Sequence, residues 1–169
     1  MKKIEIKGKR NIDKLENKKP IRKDMINSNI AKEVLTYEKQ VEAVNLMYLD
    51  ETGENSKLLR KGIEKKLDSY KNQDKKNKIY DEKWFVEIDY VLELLVRSKL
   101  KCYYCMQNCE LIYFNVLEKK QWTLDRLDNN YGHNKNNVVI SCLECNLKRG
   151  NLNSDRFKLG KQLKINKCL

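Results

Sequence analysis

The chain has 169 residues, 40% of them apolar, enough for one or two small domains and too few for a large multidomain enzyme. Thirty-six Lys and Arg against 24 Asp and Glu give a formal charge of +12 and a pI near 9.3, which favours polyanionic partners, nucleic acid ahead of anionic membrane surface. No apolar run exceeds five residues, whereas a membrane-spanning helix needs about 20. The basic N-terminus is followed by no apolar stretch of the kind a secretory signal carries. The expectation is an intracellular protein of the cytoplasm, the nucleus, a viral replication site or a virion.

Residues 1–28 mix charge and amide side chains with no apolar period and hold the only proline, Pro20; they are expected to form a flexible basic tail. Residues 29–70 are expected to be helical. Ile30, Val34, Tyr37, Val41, Val44 and Tyr48 trace one stripe of a helix that Ser28 or Asn29 would cap. After Gly53, Leu59, Ile63, Leu67 and Tyr70 repeat the stripe over a shorter helix, weakened by Gly62, which costs about 1 kcal/mol relative to alanine. Residues 71–80 open with Lys-Asn-Gln-Asp-Lys-Lys-Asn-Lys and contain no apolar residue before Ile79, so they read as a charged linker. Residues 1–80 carry 21 basic and 13 acidic groups and residues 81–169 carry 15 and 11, so most of the positive excess precedes the cysteine-rich part. A third helix is expected after Asp81, with Trp84, Ile88, Val91, Leu92 and Leu95 on one face, bracing the segment that follows.

Six cysteines in a lysine-rich chain without a secretory signal read as reduced thiols, and their paired spacing points to metal. Cys102-x2-Cys105 and Cys142-x2-Cys145 are two knuckle pairs with 36 residues between them. Two such pairs complete a closed thiolate tetrahedron around a structural zinc ion, with no open position for chemistry. Cys109 lies close enough in sequence to replace Cys105 as a ligand, and Cys168 has no partner pair; both read as spare. His133 is the only histidine, so no site with two histidine ligands can be built within one chain. Between the pairs, Gln121–Asp125 alternates as a half-buried strand does and Asn137–Ser141 reads as a second strand, residues 126–136 form a polar loop, and Cys142–Arg149 suits a short helix stopped by Gly150.

The residues Thr-Leu-Asp125-Arg126-Leu-Asp-Asn-Asn-Tyr-Gly132-His133, Asn137-Val-Val-Ile-Ser and Cys142-Leu-Glu-Cys145-Asn146-Leu-Lys-Arg149-Gly150 resemble the HNH, or His-Me finger, endonuclease family, in its zinc-bearing branch known from phages and large DNA viruses. The resemblance covers residues 100–152, about a third of the chain. Together with the helical stripes, it gives an expected α+β protein: a mainly helical N-terminal half followed, over residues 81–169, by a bracing helix and the zinc-clamped ββα-metal module that the resemblance implies. It also implies that Asp125 and Asn146 hold a catalytic divalent ion, Mg2+ or Mn2+, and that Asn137 pins the loop by hydrogen bonds. Lys135, Lys148, Arg149 and Arg126 would hold the DNA backbone. One departure is plain: the family's usual base histidine is replaced by Arg126, which cannot accept a proton. His133, with an unperturbed pKa of about 6.5, is the available general base in its place. The expected function is metal-dependent hydrolysis of DNA phosphodiester bonds. The alternative is a catalytically impaired HNH-like zinc module that binds or packages DNA, with RNA as a further partner class.

Overall fold

A computed structural model describes residues 36–51, 56–113 and 117–163. The basic tail, the start of the helix expected from Ile30 with its cap at Ser28 or Asn29, and Cys168 lie outside the described residues. Among those described, the protein is α+β, with five helices and one two-stranded antiparallel sheet, and no helix is long and apolar enough to cross a membrane.

Helix α1 (Tyr37–Tyr48) is capped by Thr36, whose hydroxyl accepts from the Lys39 amide. It buries Val44 and Met47. The same face carries Gln40, whose Oε1 accepts from the amides of Leu111 and Ile112 at 2.7 and 3.0 Å and so fastens the chain beyond the first cysteine pair to the helical half.

Helix α2 (Ser56–Lys76) is longer than the apolar pattern indicates. It runs on through Lys76, into residues expected to form a charged linker, and that expectation is corrected. Asp74 continues the buried stripe of Leu59, Ile63 and Leu67 by two further turns, and a polar contact holds the last turns where the sequence offers no apolar one. On the opposite side, Lys57, Lys61 and Lys65 recur every fourth residue in solvent, about 200° round from the buried stripe.

Helix α3 (Ile88–Ser98) starts later than expected. The Asp81 carboxylate accepts from the amides of Lys83 and Trp84, so Asp81 makes a turn instead of opening the helix, and Trp84 stays 48% exposed. Val91, Leu92 and Leu95 are buried, and Lys99 at φ 50° and Leu100 at φ 52° reverse the chain into the first cysteine pair.

Strands β1 (Trp122–Arg126) and β2 (Val138–Cys142) pair from Trp122 opposite Cys142 to Arg126 opposite Val138, one residue later in each strand than expected. Helix α4 (Leu143–Arg149) follows directly and ends at Gly150, which adopts φ 52°. A fifth helix, α5 (Ser154–Gln162), is capped by Asn153 and was not legible as a stripe. The buried core runs continuously from α1, α2 and α3 into the sheet and the cysteine pairs, with Trp122 inside it.

Candidate metal centre and the polar loop beside it

The first cysteine pair sits in a tight knuckle closed by the Met106 amide on the Cys102 carbonyl, with Met106 at φ 59°. The Tyr103 amide donates to the Ile140 carbonyl and docks the knuckle on β2. Cys142 ends that strand and Cys145 lies in the first turn of α4. The ligand atoms of Cys102, Cys105, Cys142 and Cys145 all lie within 4.8 Å of one another, and the Cys105 and Cys142 sulfurs are 4.0 Å apart. Four sulfurs at 2.3 Å from one ion stand about 3.8 Å apart in a tetrahedron. The tetrad thus fits a structural zinc ion. Cys109 is buried outside the tetrad, and its thiol bonds to the Cys102 sulfur. That contact, followed by one from Cys142, holds Cys102 below the usual thiol range, while the same contact with Cys102 holds the Cys142 thiol up and burial holds Cys145 up.

Asp125 is the penultimate residue of β1 and is only 4% exposed. Tyr104, set between the two cysteines of the first pair, donates to Asp125 Oδ2 at 2.5 Å. Arg149, at the end of α4, places Nη2 2.9 Å from Oδ1 and Nε 2.8 Å from Oδ2; the Nε–H points off that line, so the second contact is an ion pair and not a hydrogen bond. Asn146 turns its amide to Thr123 Oγ1, 3.0 Å away, and to the Leu124 carbonyl, 3.4 Å away. The divalent ion expected on Asp125 and Asn146 does not fit these residues as they stand. Both carboxylate oxygens are already taken by a phenol and a guanidinium, and a second cation beside Arg149 would be repelled. Arg149, 3% exposed, is likewise corrected from phosphate contact to internal partner. Lys148 and Lys135 remain toward the surface, paired with Glu144 at 2.8 Å and Glu87 at 3.4 Å.

The loop between the strands is fixed from within. Asn137 accepts from the Asp128 amide and donates to the carbonyls of Asp128 and Gly132, each at 3.0 Å. The Arg126 guanidinium donates to the Tyr131 carbonyl at 3.2 Å. Residues 84–86 lie against the far side of the loop, with the Val86 amide on the His133 carbonyl and the Lys135 amide on the Trp84 carbonyl.

His133 is 3% exposed and rests on Asp74, which sequence reasoning missed. The Asp74 carboxylate accepts the His133 backbone N–H at 2.6 Å on Oδ2 and faces ring Nδ1 at 2.8 Å with Oδ1, so we assign the neutral ring its proton on Nδ1. Tyr70 stacks on the imidazole, centroids 4.4 Å apart. Burial pushes the His133 pKa down against the opposing pull of Asp74. Ring Nε2 has no hydrogen-bond partner among the described residues. The loop reaches this position only because residue 132 is glycine: a Cβ there would stand 2.6 Å from the Ile79 carbonyl oxygen and 2.8 Å from Asp74 Oδ2.

Lys66 of α2 is half-buried; it donates to Gln121 Oε1 at 3.3 Å and to the Trp122 carbonyl and lies 4.6 Å from the centroid of the Trp122 ring. Burial pushes its pKa down to about 7. The only sequence signal for Asp74 is its place on the buried stripe, 15 residues after Leu59; Tyr104 and Lys66 carry none. No known protein family, characterised protein or solved structure matches the chain.

Proposed function

We propose that this chain is a zinc-stabilised DNA-binding protein, an HNH-like strand–loop–strand–helix module whose acidic and histidine positions serve the fold. The observation that carries this reading is the closure of Asp125: its two oxygens are taken by Tyr104 and Arg149 inside the protein, while charge is presented elsewhere. Lys57, Lys61 and Lys65 stand on the outer face of α2, and Lys75, Lys76 and Lys78 are exposed at its end. Such a face suits the phosphate backbone, which rewards positive charge without reading bases.

Duplex DNA of mixed sequence should bind with little sequence preference, and affinity should fall steeply between low and physiological salt as counterions are released. Fluorescence anisotropy measures this directly. Replacing Lys57, Lys61 and Lys65 by Gln should weaken binding and lower the slope of log affinity on log salt by about 0.9 for each phosphate that is no longer neutralised. Affinity that is independent of salt would remove the reading.

A second reading, phosphodiester hydrolysis, is favoured by the Asp74–His133 pair. A carboxylate on Nδ1 fixes the tautomer and leaves Nε2 as the proton acceptor, the arrangement of an oriented general base. In that case His133 would take a proton from water at Nε2 while Asp74 holds the ring.

A further inference from the structure

The Arg149 guanidinium lies in a cradle of oxygen acceptors drawn from three parts of the chain. Nη2 is 2.9 Å from Asp125 Oδ1, 2.7 Å from the Arg126 carbonyl and 2.9 Å from Asn129 Oδ1. Nε is 2.8 Å from Asp125 Oδ2, and Nη1 is 3.0 Å from the Leu152 carbonyl. Five oxygens, one of them in a side-chain amide and two in backbone carbonyls, thus converge on one buried positive charge. A carboxylate, an amide oxygen and carbonyls are also the ligand types that a hard divalent cation takes. Asn129 is itself held in place through its amide nitrogen, which donates to the Gly150 carbonyl and to Asn151 Oδ1.

We propose that Arg149 is the resident cation of the Asp125 site, standing where a divalent ion would otherwise sit, so that the site is metal-free by construction and becomes a divalent-cation site when the guanidinium is removed. The guanidinium reaches in from the end of α4 and supplies the positive charge that the oxygens require. Its planar donors fit the carboxylate and the carbonyls together. The cradle without Arg149 has a single carboxylate, which places its affinity for Ca2+ at the weak end of the protein range, on the order of 10⁻⁴ to 10⁻³ M. This assignment concerns the site alone and does not depend on DNA binding.

The test uses the zinc-loaded full chain and Mn2+ as the probe, with bound ion counted by electron paramagnetic resonance. Wild type should show no Mn2+ uptake that Asp125→Asn abolishes. Arg149→Ala should take up one Mn2+ per chain, with Ca2+ competing, and the double variant Arg149→Ala with Asp125→Asn should lose it. Should Arg149→Ala be unfolded in metal-free buffer, the readout is its recovery: Mn2+ should restore the native circular dichroism of the single variant and not of the double one. Asp125-dependent Mn2+ binding by wild type would overturn the proposal. So would a folded Arg149→Ala chain that takes up no such ion, or an unfolded one that Mn2+ does not recover.

Discussion

Removal of zinc should unfold residues 100–152. The first cysteine pair lies between α3 and the sheet, and the second joins β2 to α4, so one ion would tie two segments 36 residues apart in the chain. Structural zinc sites of this kind contribute apparent binding energies of about 10–16 kcal/mol to folding at neutral pH, as large as the whole stability of a small domain, about 5–15 kcal/mol. Purified protein should contain one zinc per chain by elemental analysis. Chelation, or Cys142→Ser, should abolish the cooperative thermal transition of this region. A zinc-free protein that melts at the temperature of the loaded one would refute the assignment.

The second large effect is expected at Asp74. Asp74→Ala leaves the His133 backbone N–H and its ring Nδ1–H without an acceptor in a buried site, and it takes from Arg126 the carboxylate that stands 4.0 Å away. Unsatisfied buried donors cost about 1–3 kcal/mol each, and a broken buried ion pair costs about 3–5 kcal/mol, so a loss of about 3 kcal/mol or more is expected in urea unfolding. Asp74→Asn should cost less, because its oxygen still accepts the backbone N–H and its amide donates to Nδ1 once the ring proton moves to Nε2. The same geometry sets a pH dependence. His133 has a lowered pKa in the fold, so as pH falls through its unfolded value, about 6.5, the unfolded chain takes up the proton first and stability declines. Above that value His133 contributes no slope. His133→Gln should flatten the decline.

The four clustered cysteines, the order strand–loop–strand–helix and the buried faces of α2 and α3 could be read from spacing, because cysteine pairs and apolar stripes are local patterns; α1 instead buries Gln40, Val44 and Met47 and leaves Tyr48 of its expected stripe 46% exposed. Asp74 could not, since its role depends on a histidine 59 residues away and its neighbours in sequence are all polar. Arg149 and Asp125 show the complementary limit. Spacing places both residues near the sheet and α4, but whether a carboxylate faces solvent, an ion or a guanidinium is decided by which side chains converge on it in three dimensions. Tyr104 illustrates this further: the knuckle that the cysteines fold is what carries its hydroxyl to Asp125. Trp84 falls outside its expected helix because the Asp81 side chain satisfies the amides of Lys83 and Trp84 in a turn, a local competition that apolar periodicity does not register.

The most direct measurement is to incubate zinc-loaded protein with supercoiled plasmid at low salt, with and without Mg2+ or Mn2+, and to follow both mobility and integrity of the DNA. The account predicts retarded plasmid that, after the protein is removed, is still fully supercoiled under every metal condition. Nicked or linear product that disappears with His133→Ala, in a variant that keeps its zinc and its DNA affinity, would contradict it and establish hydrolysis in its place.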